Sequence, residues 1–78
     1  MKDNKHKLNI RKNGEEILFN NPHFLSSSIM IYSLHGELIY RTTTNNDYIN
    51  LSKIPIKNGV YVVSITVGEN MESKTFKN

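Results

Sequence analysis

The sequence predicts an all-β fold, an antiparallel sandwich or barrel of about seven strands. Three observations carry that expectation. The chain of 78 residues has no Ala, Gln or Trp, so the best helix former is missing, while Ile, Val, Thr, Tyr and Phe together supply 25 residues of strand-forming type. Its 11 Asn fall mostly in clusters that read as turns: Asn13-Gly14, Asn20-Asn21-Pro22, Asn45-Asn46-Asp47 and Asn58-Gly59. Apolar segments recur at intervals of roughly 8–12 residues between those turns, the spacing of small all-β domains. No stretch shows a 3.6-residue apolar period.

Taken in order, residues 7–11 alternate apolar and polar side chains around Leu8 and Ile10, as a half-buried strand does. Asn13-Gly14 is a hairpin signal, and residues 15–19 return. Residues 20–28 form a polar connection in which Phe24 and Leu25 are expected to tuck inward. Residues 29–32 make the third strand, with Ile29 and Ile31 on one face. The turn 34–36 follows, with Gly36 expected at positive φ, a region that Gly enters without the steric penalty of other residues. Residues 37–42 form the fourth strand and 47–51 the fifth, where Ile49 and Leu51 share a face. A loop with Pro55 leads to residues 59–67, the longest and most apolar strand and the one expected at the centre of a sheet. Gly68-Glu69-Asn70 turns the chain into the seventh strand, residues 71–77. Residues 1–6 are expected to be a polar, basic, disordered leader, and residues 7–78 a single sandwich.

Composition excludes several classes of function. The formal charge of +3 is concentrated in residues 1–12, leaving the rest of the chain near neutral, so no basic face for nucleic acid is expected. No apolar run approaches the length of a membrane-spanning helix, and no membrane insertion is expected. Met1 is followed by polar residues without the apolar core of an export signal. With no Cys there is neither a disulfide nor a thiolate metal ligand. His6, His23 and His35 match no local metal spacing. Glu15 and Glu16 are neighbours, so a strand sends them to opposite faces. Ser26-Ser27-Ser28 lacks the glycine elbow of a serine nucleophile. The expectation is a non-catalytic chain with no cofactor and no metal.

Two local constellations have more content. Asn58-Gly59-Val60-Tyr61 opens the longest strand, and a Tyr at that place resembles the tyrosine corner of immunoglobulin-like sandwiches. On that reading Gly59 makes the turn, the Tyr61 ring is buried, and its hydroxyl bonds back to backbone in residues 54–57. The second constellation is the hairpin of residues 29–39 around Gly36.

Together these carry a family resemblance. The succession is Ile-x-Ile-Tyr-x-Leu-x-Gly-x-Leu-Ile at 29–39, Ile-x-Leu-Ser at 49–52, Asn-Gly-Val-Tyr-Val-Val-x-Ile at 58–65, Gly68, and Lys-x-Phe-Lys at 74–77. It resembles the C-terminal sorting domain of the type nine (Por) secretion system of Bacteroidetes. The resemblance covers roughly residues 28–78 and extends toward Leu8. The Pro-Asn-Pro element that often opens such a domain is absent, with Asn20-Asn21-Pro22 only a partial counterpart.

The resemblance implies an immunoglobulin-like sandwich at the C-terminus of a secreted or surface protein; with no export signal here, the chain is read either as a piece of such cargo, itself secreted or at the cell surface, or as a short reading frame that keeps the fold without the export role. It implies protein partners: an outer-membrane translocon and a sortase-like peptidase. It directs attention to the terminal strand, placing Lys74, Phe76 and Lys77 as partner-recognition residues and Gly36, Gly59 and Tyr61 as structural hallmarks. Two other functions stay open. A fibronectin-type or carbohydrate-binding accessory module would need Tyr32, Tyr40 and Tyr48 aligned on one exposed face. A small β-sandwich could instead associate with itself through edge strands.

Overall fold

One of the two eight-residue strands, Val60–Val67, organises the chain because every second side chain on it is apolar and buried. In the computed structural model, which describes residues 7–52, 54–56 and 59–77, the chain forms seven strands and no helix among those residues. They are β1 (Arg11–Asn13), β2 (Glu16–Leu18), β3 (Ser27–Ser33), β4 (Leu38–Thr44), β5 (Tyr48–Asn50), β6 (Val60–Val67) and β7 (Asn70–Lys77). All pairings are antiparallel. One sheet has the order β1-β2-β5 and the other β4-β3-β6-β7. The all-β sandwich expected from the sequence is thus what the chain adopts. The basic leader expected at 1–6 lies outside the described residues, with His6.

Register explains which side chains meet. Pairing of Ile29 with Ile65 and of Ile31 with Val63 puts the apolar faces of β3 and β6 on one side. Tyr61, Val63, Ile65 and Val67 from β6 join Ile29 and Ile31 in the core. Leu8, Ile10, Ile17, Phe19, Ile49, Leu51 and Ile54 complete it. Ile39, Tyr40, Ile56 and Phe76 pack against its margin. The expectation that the 59–67 segment is central holds, since β3 and β7 flank it.

Local departures from the expected elements have physical causes. Leu8 and Ile10 are buried in alternation, as expected, but regular pairing starts only at Arg11. Asn9 takes φ +53°, which breaks the extended run, and Asn tolerates that conformation better than most residues. The first hairpin pairs Asn13 with Glu16, so its two turn residues are Gly14, at φ +64°, and Glu15. At the second hairpin Gly36 has the expected positive φ, +89°. Ser33 secures that turn: its backbone N–H donates to Glu37, and its hydroxyl accepts from the N–H groups of His35 and Glu37.

Two expectations are corrected. Phe24 and Leu25 do not tuck inward; they are 62% and 45% exposed. The loop that holds them closes around a polar side chain, Asn21, instead of around an apolar one. The second concerns the tyrosine corner. Tyr61 is buried and follows Gly59 at φ +137°, as expected. Its hydroxyl, however, has no hydrogen-bond partner among the described residues, so Ile54, Pro55 and Ile56 do not receive the anticipated bond. Lys57 and Asn58 lie outside the described residues. The ring stacks at a tilt on Phe76 instead, with centroids 6.1 Å apart.

Burial pushes the Tyr61 phenol above its ordinary value, because the phenolate is poorly solvated there. The folded chain therefore holds this proton more tightly than the unfolded chain does. The resulting contribution to stability is intact below the ordinary phenol pKa of about 10 and falls as pH rises beyond it. Tyr61→Phe removes both the phenol and its unsatisfied hydroxyl. Denaturant unfolding is expected to find the variant equal to the parent at pH 7 or more stable by up to about 1 kcal/mol. The variant is also expected to lose less stability than the parent between pH 9 and 11. A clear loss at pH 7 would mean that the hydroxyl has a partner.

Candidate recognition surface

The chemical inventory remains sparse. His23 and His35 are exposed, and the described residues contain no cluster of three or more His, Cys, Asp or Glu able to hold a metal ion. Ser27 is buried in β3 and donates its hydroxyl to the Leu25 carbonyl, a structural use. Glu15 is exposed and Glu16 half-buried at the first hairpin. No helix among the described residues is long and apolar enough to cross a membrane.

The terminal strand is more informative. Pairing sets Phe76 opposite Tyr61, Lys74 opposite Val63 and Glu72 opposite Ile65. Because Tyr61, Val63 and Ile65 face the core, Glu72, Lys74 and Phe76 share that inward side at the sheet edge. There they hold the segment before β1. The Leu8 N–H donates to Glu72 Oε2 at 2.8 Å, and Lys74 Nζ donates to the Ile10 carbonyl at 3.1 Å. Lys74 Nζ also sits 5.7 Å from the Phe76 ring centroid, within range of a cation–π attraction. From its other side the same segment is held by Asn20, whose backbone N–H donates to the Leu8 carbonyl and whose side chain donates to Lys7. Three side-chain bonds and a single backbone bond thus take the place of a strand ladder for residues 7–10.

Of the three terminal-strand residues named from the sequence, the structure brings Lys74 and Phe76 together. Lys77 stands apart at the exposed end of β7, opposite Val60. The outward side of β7 carries Met71, Ser73, Thr75 and Lys77, and all four are exposed. The opposite side of β7 from β6 is a free sheet edge among the described residues.

The three tyrosines do not form one platform. Tyr40 pairs with Ile31 and packs against the core. Tyr32 is on the other face of the same sheet, its hydroxyl 3.0 Å from Met30 Sδ. Tyr48 belongs to β5 in the second sheet and flanks the buried Ile49. A carbohydrate-stacking face is therefore not assembled from these residues.

One important residue escaped sequence reasoning. Asn21 is only 2% exposed, and its side chain is the polar hub of the loop between β2 and β3. Its Nδ2 lies within hydrogen-bond distance of the Leu25, Asn45 and Asn46 carbonyls and of Ser27 Oγ, and its Oδ1 accepts from the Leu25 N–H. The available signal was an Asn directly before a Pro, since Pro22 keeps Asn21 out of helical backbone while an Asn side chain bonds nearby backbone.

A family model described as the secretion system C-terminal sorting domain matches residues 4–77. The chain belongs to that family. No curated protein and no solved structure matches it. The resemblance read from residues 28–78 thus extends to nearly the whole chain. Its function is that of a C-terminal sorting signal of the type nine (Por) system, and cargo bearing such a domain is secreted or attached to the cell surface. Members of the family are in general not catalytic.

The hub makes a direct prediction. Asn21→Ala removes a partner from the buried Ser27 hydroxyl, a partly buried N–H and three partly buried carbonyls at once, at a cost of about 2–4 kcal/mol. Asn21→Asp should fare no better, because a carboxylate cannot donate to those carbonyls. Thermal unfolding of both variants checks this; melting points close to the parent's would remove Asn21 from the scaffold.

Proposed function

We propose that residues 7–78 act as one folded address, recognised by the outer-membrane translocon of the type nine secretion machinery, with β7 as the principal contact. A sortase-like peptidase acting after transport is the second partner in this reading. The observation that carries it is the position of β7. Among the described residues it lies at a sheet edge, and its outward side chains are unoccupied by the fold. Within this reading Lys74 and Phe76 seat the strand against Ile10 and Tyr61, while Lys77 presents a charge to the partner.

The inward-facing Glu72 and Lys74 bear on the mode of contact. Charged residues turned inward on an edge strand discourage indiscriminate strand pairing. That favours a contact read through the outward side chains over addition of a further strand, and it weighs against association of copies through this edge.

The test is surface display of a reporter carrying an export signal, fused ahead of the 78-residue chain in a strain that possesses the machinery. Display is expected with the intact chain and abolished when residues 73–78 are deleted. Lys77→Glu should preserve the melting point and still reduce display. Undiminished display after both changes would remove β7 from the recognition surface.

A further inference from the structure

The loop between β2 and β3 exposes an aromatic ring in a backbone conformation that disfavours one. Phe24 has φ +52°, a region in which a bulky side chain is a true outlier. A Gly or Asn would occupy it with less strain. The fold gains little burial in return, since the ring is 62% exposed. Strain held in place by its surroundings is a feature of binding sites.

The surroundings do hold it. The Phe24 N–H donates to the Asn21 carbonyl at 3.1 Å, and the Phe24 carbonyl accepts from Asn45 Nδ2 at 3.0 Å. Both backbone groups of Leu25 bond to the buried Asn21 side chain. Leu25 is itself 45% exposed, with its Cδ1 lying over Gly68, 3.6 Å from where a Cβ there would stand. Two consecutive large apolar residues are thus exposed on a backbone held by hydrogen bonds at both positions. Fixing them in advance lowers the ordering cost of a contact.

We infer that Phe24, with Leu25 beside it, is a preformed recognition knob whose partner is a protein bearing an apolar pocket for the ring. The inference rests on recognition by the secretion machinery and adds to β7 a second contact at the loop. A protein pocket fits better than a bilayer for two reasons. A fluid bilayer gives no reward for a fixed backbone geometry. Among the described residues, the charges that line the flanks of this loop are also of both signs, Lys7, Arg11 and Asp47 with Pro22 on one side and Glu69 with His23 on the other, and so form no uniformly basic rim for anionic lipid.

Phe24→Gly and Phe24→Asn test this in the same display assay. Both residues accept φ +52°, so the melting point should hold or rise, while display should fall about tenfold or more, as expected for loss of one buried aromatic contact. Full display of both variants beside a displayed parent would overturn the knob and leave the recognition reading standing. Failure of the parent to be displayed would overturn that reading and the knob with it. A lower melting point in both variants would show that the ring serves the fold, against the inference. Sedimentation of the purified chain with phosphatidylcholine–phosphatidylglycerol vesicles, lost on Phe24→Gly, would assign the knob to a bilayer and overturn the protein pocket.

Discussion

The fold depends on contact between the inward side chains of β3 and β6 and the apolar residues of the first 19 positions. Tyr61, Val63 and Ile65 form a continuous buried row with Ile29 and Ile31, and Leu8, Ile10, Ile17 and Phe19 close over it. The two sheets contribute unequally. β3, β4, β6 and β7 are seven or eight residues long, whereas β1, β2 and β5 have three each. Three-residue ladders offer few cross-strand pairs, so the smaller sheet owes its place to burial of Ile17 and Ile49. A chain of this size, with no disulfide, has little apolar area to spare.

Where ladder bonds are missing, side chains supply them. Glu72, Lys74 and Asn20 hold residues 7–10 through their backbone groups, and Asn21 gathers loop carbonyls from 25, 45 and 46. Both arrangements give partners to backbone polar groups that no strand ladder pairs, most of them in partly buried bonds. Both also tie distant parts of the chain together. The bonds from β7 reach back 64 positions along the sequence, which couples the terminal strand to the segment that leads into the fold.

For a domain that serves as a sorting signal, this economy has a consequence. The interior is occupied by apolar packing, so distinctive features must sit at margins: the outward side of β7 and the loop around Asn21. Membership of the sorting-domain family makes the chain a sorting signal, and the proposed reading assigns its recognition to these margins. In the proposed reading, Lys74 and Phe76 act by setting how β7 lies on the sheet through their contacts with one another and with Tyr61.

Alternation of side chains determined the strand content, the inward faces of Ile29, Ile31, Ile49 and Tyr61, and the turn at Gly36, because these follow from local periodicity and local steric limits. The order of motifs from Ile29 to Lys77 determined the family. Other features required the tertiary structure. Asn21 became a hub only because residues 25, 45 and 46 converge on it, and no local pattern encodes that convergence. Phe24 and Leu25 were expected inside because hydrophobicity argues for burial, but backbone bonds to Asn21 and Asn45 turned them outward. The clamp from Glu72 and Lys74 to residues 8 and 10 depends on strand order, which side-chain period alone does not fix.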